Sequence, residues 1–116
     1  MCHVLIIEDE PLIALDIEMI LEREGATSFD VAASEDEAVA RALDHRPDLI
    51  TSDVQLATGR GPDAVQRIEA ALGAVAVMFV TGTPDQCRPC DPPKLVLSKP
   101  VNTATLTRAF RELWQG

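Results

Sequence analysis

Short apolar runs alternate with amphipathic helical patterns at even spacing along the chain of 116 residues. The runs predict strands at 4–7, 28–32, 49–52, 76–80 and 95–97. Strands that alternate with helices predict a doubly wound α/β fold, in which right-handed crossovers cover both faces of a five-stranded parallel sheet. We find no internal linker, repeat or low-complexity tract, and the length suits one domain, 1–116, with a single core.

Residues that start or stop helices mark the helical segments. Pro11 suits the first turn of a helix over 11–24, and Gly25 ends it. The Ser-x-x-Glu pattern of Ser34 to Glu37 has the form of a capping box and opens the second helix. Apolar residues at helical spacing then mark the first, third and last helices: Leu12, Ile13, Leu15, Ile17, Met19 and Ile20; Ala64, Val65, Ile68, Ala71 and Leu72; and Leu106, Ala109, Phe110 and Leu113.

The composition limits the kinds of partner. There are 19 Asp and Glu residues against 10 Lys and Arg, a net charge of -9, so a nucleic-acid backbone would be repelled and we expect no nucleic-acid binding. The longest apolar runs, 4–7 and 74–80, are far shorter than the ~20 residues that span a bilayer, so we expect no membrane segment. The first residues do not resemble a secretory signal, and three cysteines suit a reducing compartment, so a cytoplasmic location is expected.

Polar residues close four of the five predicted strands. Glu8 and Asp9 follow strand one, and Asp53 follows strand three, while Thr81 and Lys99 follow strands four and five. In open parallel sheets, ligands bind beyond the carboxyl ends of the strands, where the strand order reverses. If strands one and three are neighbours, as in the order 2-1-3-4-5, the three carboxylates converge at that point.

Converging acids require a cation, because like charges a few ångströms apart repel by several kcal/mol at intermediate dielectric. Mg2+ would neutralise the acids and bridge to a phosphoryl oxygen. Lys99 would balance charge on a second phosphoryl oxygen, and Thr81 would donate a hydrogen bond to a third. Asp53 would then be the nucleophile that accepts the phosphoryl group.

These strand ends resemble the receiver domain of two-component response regulators. The resemblance covers nearly the whole chain and implies a flavodoxin-like (βα)5 fold with the strand order 2-1-3-4-5. The residues that carry it are Ile6-Ile7-Glu8-Asp9-Glu10, Ser52-Asp53, Val80-Thr81-Gly82 and Lys99-Pro100. The segment Phe79 to Gly82 is also similar to a phenylalanine-x-threonine-glycine motif found in a subgroup of stand-alone regulators.

The resemblance implies a role for each matched residue around the acceptor. Glu8 and Asp9 are expected to be Mg2+ ligands, directly or through water, and Asp53 is expected to be both a ligand and the phosphorylation site. Gln55 would contribute its backbone carbonyl to the metal. Gln55 and Thr83, two residues past the acceptor and two past the hydroxyl, lie at positions that tune hydrolysis in the family.

The resemblance also implies how the chain exchanges phosphoryl groups. The donor is expected to be a histidine kinase or a histidine phosphotransfer protein, with Thr81 and Lys99 binding the transferred group. The Lys99–Pro100 bond is expected to be cis, as is usual in the family. A receiver of this kind catalyses its own phosphorylation and dephosphorylation and is not counted as an enzyme.

The segment between Thr81 and Lys99 departs from the family pattern. It is short and contains Pro84, Pro89, Pro92 and Pro93, and an interior proline costs a helix about 3 kcal/mol. We therefore expect helix four of the family to be shortened or missing. Val96 replaces the aromatic residue that rotates in many receivers, so signalling is expected to work through ordering of the loop 82–93.

Three readings of the function differ in their chemistry. With no output domain after 114–116, the expected function is that of a stand-alone receiver that acts on another protein or serves as a phosphate sink or relay, and the alternative is a piece excised from a longer protein. A hydrolase of the haloacid dehalogenase type would place a second acid two residues after the nucleophile, where Gln55 stands. A receiver-like interaction module that is never phosphorylated would keep every structural feature. The sequence does not name the downstream target or the oligomeric state.

The remaining cysteines and histidines are interpreted as bystanders. Cys87 and Cys90 form a C-x-x-C pair, but zinc would need two more ligands. Cys2 and His3 are the only soft candidates for those two ligands. In the order 2-1-3-4-5, strand one, where they lie, is three strand spacings, roughly 14 Å, from strand five, which follows Cys90. His3 and His45 have no partners at ligand spacing and are expected to be structural or exposed.

Overall fold

The computed structural model describes residues 1–82, 95–100 and 102–114. Five parallel strands form one sheet with the order β2-β1-β3-β4-β5, as predicted. The strands are β1 (His3–Ile7), β2 (Ser28–Ala32), β3 (Leu49–Ser52), β4 (Ala76–Thr81) and β5 (Leu95–Ser98). The predicted doubly wound parallel sheet and its strand order are therefore confirmed.

Four helices connect and follow the strands in the described ranges. They are α1 (Pro11–Arg23), α2 (Glu35–Asp44), α3 (Gly61–Leu72) and α4 (Thr103–Leu113). Several expectations concern residues outside those ranges, so they remain predictions: the shortened or missing helix after β4, the ordering of the loop 82–93 beyond Gly82, and the roles of Thr83, Cys87 and Cys90.

The core consists of two apolar layers, one on each face of the sheet. Alternate side chains of β1 point to opposite faces, so Val4 and Ile6 pack with α1 and α4, whereas Leu5 and Ile7 pack with α2 and α3. All five residues of β1 are buried. A strand covered on both faces has no polar side to display, which is why the run 4–7 is continuously apolar.

Local signals in the sequence fix the helix ends. Ser34 caps α2, with its hydroxyl accepting a 3.2 Å hydrogen bond from the Glu37 backbone N–H. The Glu37 carboxylate reaches back to the N–H of Ala33 at 2.6 Å, one residue before the position of a standard capping box. Asn102 caps α4 by accepting a bond from the Thr105 N–H. Gly25 adopts φ 115°, which suits the end of α1.

Helix α1 carries two apolar stripes, and the sheet buries one of them. Ala14, Ile17 and Leu21 are buried against the core. The other stripe is exposed, with Leu12, Leu15 and Met19 showing 78%, 50% and 47% of their surface. Within the described ranges, no helix combines the length and the apolar character that crossing a bilayer requires.

Candidate functional site

Three acidic side chains meet where the strand order reverses. Ile7 at the end of β1 pairs with Ser52 at the end of β3, and the Asp53 N–H donates a 2.8 Å bond to the carbonyl of Ile7. The next residues, Glu8 and Asp53, are therefore neighbours. Glu8, Asp9 and Asp53 can each offer a carboxylate oxygen, and these oxygens lie within 4.8 Å of one another. The three carboxylates that the sequence predicts to converge thus lie close enough together to hold a metal ion.

The ammonium of Lys99 lies among these acids. Its Nζ is 3.0 Å from Asp53 Oδ2 and 3.1 Å from Glu8 Oε1. The Lys99 N–H also donates to the carbonyl of Thr81 at 2.8 Å, which fixes the end of β5 against the end of β4. The Lys99–Pro100 peptide bond is cis. The structure therefore brings Lys99 to the acids, as the sequence predicts.

Because the site is buried, its charged groups shift the pKa values of one another. The side chains of Glu8, Asp53 and Lys99 are only 2%, 11% and 18% exposed. Burial raises the pKa of Glu8, assisted by the nearby Asp53 charge, and this effect exceeds the opposing effects of the Glu10 N–H and the Lys99 ammonium. Burial alone would lower the pKa of Lys99, but its hydrogen bonds and ion pairs with Asp53 and Glu8 outweigh burial and raise that pKa. Burial and the neighbouring Asp53 thus make Glu8 easier to protonate than in water, whereas the two acids favour the charged form of Lys99.

Backbone N–H groups hold the acids in place. The Val54 N–H donates to Asp53 Oδ1 at 2.7 Å, and the Glu10 N–H donates to Glu8 Oε2 at 3.1 Å. Asp9 is tied to a different segment, because its Oδ2 accepts a 2.7 Å bond from the Ala57 N–H in the loop after β3. Asp9, the second of the two predicted metal ligands after β1, is therefore directly connected to the loop that follows Asp53.

The other predicted site residues, Thr81, Gln55 and Thr83, do not all lie beside the acids. Thr81 is buried as the last residue of β4, at the same edge of the sheet as the acids. Gln55 is exposed in the loop after β3 and forms an isolated bridge with Arg60. Thr83 lies outside the described residues.

Gly61 is a site residue that the sequence interpretation missed. A Cβ at this position would lie 1.7 Å from the carbonyl oxygen of Asp53 and 2.3 Å from Ser52 Oγ. The Ser52 hydroxyl donates a 2.8 Å bond to that same carbonyl. The first residue of α3 therefore packs directly on the backbone of Asp53. The sequence offered one signal for this contact. A helix that begins with glycine before Pro62 has no conformational need for glycine at its first position, so the glycine indicates a close approach to another group.

Glu35, the first residue of α2, also supports the loop after the acceptor. Its backbone N–H donates to the Thr58 carbonyl at 3.2 Å, and its Oε1 accepts from the Arg60 N–H at 3.3 Å. Its other oxygen accepts a 2.9 Å bond from Arg67 of α3. These partners are more than twenty residues away in sequence, so no local pattern could reveal them.

Comparison with known proteins identifies the family. Residues 4–111 match the response regulator receiver domain. The chain belongs to this family. Receiver domains are signalling domains that interact with histidine kinases and downstream partners, and the family binds Mg2+ at an acidic pocket such as the one formed here by Glu8, Asp9 and Asp53.

Several similar proteins match nearly the whole of this chain. The phyllosphere-induced regulator PhyR of Methylorubrum extorquens is 39% identical over 114 residues, covering 95% of this chain and 42% of that protein. The solution NMR structure of the PhyR receiver domain of Erythrobacter litoralis has a TM-score of 0.86 at 31% identity, covering 97% of this chain and 88% of that one.

A crystal structure of a mutant of the anti-anti-sigma factor PhyR from Bartonella quintana has a TM-score of 0.82 at 33% identity. It covers 97% of this receiver chain and 48% of the other chain. The chain thus spans less than half the length of the curated PhyR relative, so the match concerns the receiver part of such proteins.

Proposed function

We propose that this receiver domain accepts a phosphoryl group on Asp53 from a histidine kinase or a histidine phosphotransfer protein. The observation that carries the proposal is the position of Lys99 Nζ, 3.0 Å from Asp53 and 3.1 Å from Glu8, beside three converging carboxylates. A structural ion pair needs one acid for one ammonium, whereas this pocket holds a surplus of negative charge. The surplus supports a site that also receives a divalent cation.

Mg2+ fits the donor set of this pocket. Glu8, Asp9 and Asp53 offer hard carboxylate oxygens within 4.8 Å of one another, and Gln55 would add its backbone carbonyl. When bound, Mg2+ supplies charge neutralisation between the acids and an oxygen of the phosphoryl group. For Asp9 to face the ion, its Oδ2 would exchange the Ala57 N–H for the metal or a metal-bound water.

The transfer itself would be a displacement at phosphorus. A carboxylate oxygen of Asp53 attacks the phosphorus of a phosphohistidine, forming an acyl phosphate P–O bond. The P–N bond breaks, and its electron pair stays on the donor imidazole. The Lys99 ammonium, already against Asp53 Oδ2, would balance charge on the transferred oxygens, and the Thr81 hydroxyl would donate to another.

The phosphoryl group would later leave by hydrolysis. Water attacks the phosphorus, the P–O bond to Asp53 breaks with its electron pair staying on the carboxylate, and inorganic phosphate leaves with both protons of the water. Gln55, exposed beside the acceptor, and Thr83 would influence the approach of that water. We place this cycle in the cytoplasm, together with the kinase or phosphotransfer protein that supplies the phosphoryl group.

The output of the cycle would be a contact with another protein. The similar PhyR of Methylorubrum extorquens is a regulator, and that of Bartonella quintana is an anti-anti-sigma factor, which supports a protein target for the phosphorylated domain. The proposed receiver domain spans 1–116, and its action as a relay, a sink or a partner-binding switch is part of the proposal.

Phosphorylation can be tested with a small donor. We expect incubation with acetyl phosphate and Mg2+ to add one phosphoryl group, seen by intact mass, and chelation of the metal to prevent it. Asp53→Asn should remove the adduct, whereas the matched control Asp16→Asn, on the exposed face of α1, should retain it. Absence of an adduct with acetyl phosphate and with the cognate kinase would favour an interaction module that is never phosphorylated.

A further inference from the structure

A second group of metal-ligating side chains lies at the opposite end of the sheet from Asp53. His3 is the first residue of β1, Asp30 lies in β2, and His45 follows the last residue of α2. Each offers one nitrogen or oxygen atom, and these atoms lie within 4.8 Å of one another. The sequence interpretation expected the two histidines to be structural or exposed, and His3 is buried and hydrogen-bonded while His45 is exposed. Spacing along the chain did not reveal that they form a cluster with Asp30, because its members come from three elements.

The backbone holds this cluster on a fixed frame. In the parallel register of β1 and β2, His3 pairs with Ser28, so these two side chains point to the same face of the sheet. Asp30 lies two residues after Ser28 and therefore points to that face as well. Asp48 anchors the turn after α2, since its N–H donates to the His3 carbonyl and its Oδ2 accepts from the His3 N–H, both at 2.8 Å. His45 is thereby held above the start of β1.

The contacts of the His3 imidazole resemble those of histidines that bind metal ions. The ring is buried, with 6% of the residue exposed, and its Nδ1 lies 2.7 Å from Ser28 Oγ. Histidines that bind metals usually donate one ring N–H to a neighbouring oxygen and bind the ion through the other nitrogen. If Nδ1 carries the proton and donates it to Ser28, the lone pair of Nε2 faces the Asp30 carboxylate, an arrangement that a cation would stabilise.

The distances suit a small cation. His3 Nε2 and Asp30 Oδ2 are 3.0 Å apart, close to the ~3.4 Å that separates two ligand atoms in a tetrahedral site with bonds of about 2.1 Å. The rings of His3 and His45 are stacked, with centroids 3.6 Å apart and planes inclined by 13°. An ion cannot lie in both ring planes of such a stack, so His45 must turn on its side-chain bonds. Because His45 is exposed, this rotation moves no buried group.

We propose that His3, Asp30 and His45 form a site for a borderline transition-metal cation, with Zn2+ as the ion of choice. Two imidazoles and one carboxylate favour Zn2+ over Mg2+, which prefers oxygen ligands alone. The three carboxylates around Asp53 have the opposite preference. The two ends of one sheet would therefore sort two cations by ligand chemistry, and Zn2+ would join the start of β1, the middle of β2 and the end of α2.

A titration with Zn2+ alone as the probe tests this site. The protein should carry Cys87→Ser and Cys90→Ser, so that the C-x-x-C pair cannot bind the ion, and excess Mg2+ should occupy the acidic pocket. We expect one equivalent of Zn2+ by isothermal calorimetry, a higher midpoint of thermal unfolding, and at least a tenfold weaker affinity in both His45→Ala and Asp30→Asn. The matched control Asp44→Asn removes an exposed acid beside His45 and should bind normally.

Three outcomes would overturn the proposal: no zinc binding, binding that both His45→Ala and Asp30→Asn retain, or binding that depends on only one of them. Histidine side-chain NMR gives an independent readout, because an Nε2–H of His3 that persists with Zn2+ present would mean an ordinary hydrogen bond to Asp30. The test is separate from phosphorylation, since Asp53→Asn should lose the phosphoryl adduct and still bind Zn2+.

Discussion

Lys99 and Asp53 form a 3.0 Å ion pair between residues 46 positions apart in sequence, and the same ammonium lies 3.1 Å from Glu8. One cation is therefore shared by two acids that water reaches poorly. A divalent ion entering the pocket would meet a positive charge already in place. The stability of the metal-free protein and its affinity for Mg2+ should consequently respond in opposite directions when Lys99 is changed.

Lys99→Met should destabilise the metal-free protein by about 3 kcal/mol, because it leaves two mostly buried acids without their cation. Mg2+ should restore much of the loss and bind at least as tightly as in the wild type. Denaturant unfolding with and without Mg2+ measures both effects, and Arg108→Met, on the exposed side of α4, is the control. An equal loss of stability with and without Mg2+ would contradict this account.

Asp9→Asn should weaken Mg2+ binding roughly tenfold or more, because one charged ligand is lost. The amide oxygen of Asn can still accept the bond from the Ala57 N–H, so the variant separates the charge of Asp9 from its support of the loop. NMR or the fluorescence of Trp114 during a Mg2+ titration would report the affinity. Unchanged affinity in Asp9→Asn and in Glu8→Gln would remove the basis for the acidic site.

Glu8→Gln should alter how stability depends on pH in the metal-free protein. The pKa of Glu8 is raised above its ordinary value of 4.5, so the folded protein holds this proton more tightly than the unfolded chain. That stabilisation is complete below the ordinary pKa and is lost as the pH rises through the raised value. From pH 4.5 upward, the wild type should therefore lose stability relative to Glu8→Gln. Denaturant unfolding across this range with a chelator present measures the difference, and a constant difference would refute the expectation.

Gly61→Ala should impair both folding stability and phosphorylation. The added methyl group would meet the Asp53 carbonyl at 1.7 Å, so the start of α3 or the acceptor backbone must move, at a cost of about 1–3 kcal/mol or more. Gly82→Ala is the matched control, because among the described residues its methyl group meets nothing within 4 Å, and it should change stability by less than about 0.5 kcal/mol. Similar behaviour of the two variants would show that the close approach is unimportant.

Thr51→Val should stabilise the protein by about 1 kcal/mol. In the part of the chain that the structure describes, the buried hydroxyl of Thr51 has no hydrogen-bond partner. Valine has nearly the same shape and removes the desolvated polar atom. Thermal or denaturant unfolding would show the gain, with the exposed Thr105→Val as the reference. A loss of stability would mean that the hydroxyl has a partner such as an internal water.

The features that the sequence predicted correctly share a physical reason. A parallel strand covered on both faces must be apolar throughout, so its end is visible as the first polar residue, as at Glu8 and Asp53. The alternation of strands and helices fixes a parallel sheet, and the rule for strand-order reversal then brings those strand ends together. The position of Lys99 follows in the same way, because β5 ends at the same edge.

Other features depend on packing that spacing does not encode. Helix α1 offers two similar apolar stripes, and the sequence does not reveal that Ile17 is buried while Leu12 is exposed. The bond between Asp9 and the Ala57 N–H requires the loop after β3 to fold back over β1. The stack of His3 and His45 arises because the turn after α2 crosses the start of β1.

Glu8 and Lys99 lie 91 positions apart in sequence, and this separation has a consequence for synthesis of the chain. A polypeptide emerges from the ribosome with its amino end first, so β1 appears long before β3, which covers one of its edges. Until β3 has emerged, that edge presents unpaired backbone groups to other chains. A nascent chain stalled before residue 99 would also hold Glu8 and Asp53 without their ammonium. The pocket around Asp53 is therefore among the last parts of the domain to assemble, and prolonged translational pausing before Lys99 has emerged should expose the chain to chaperones and proteases.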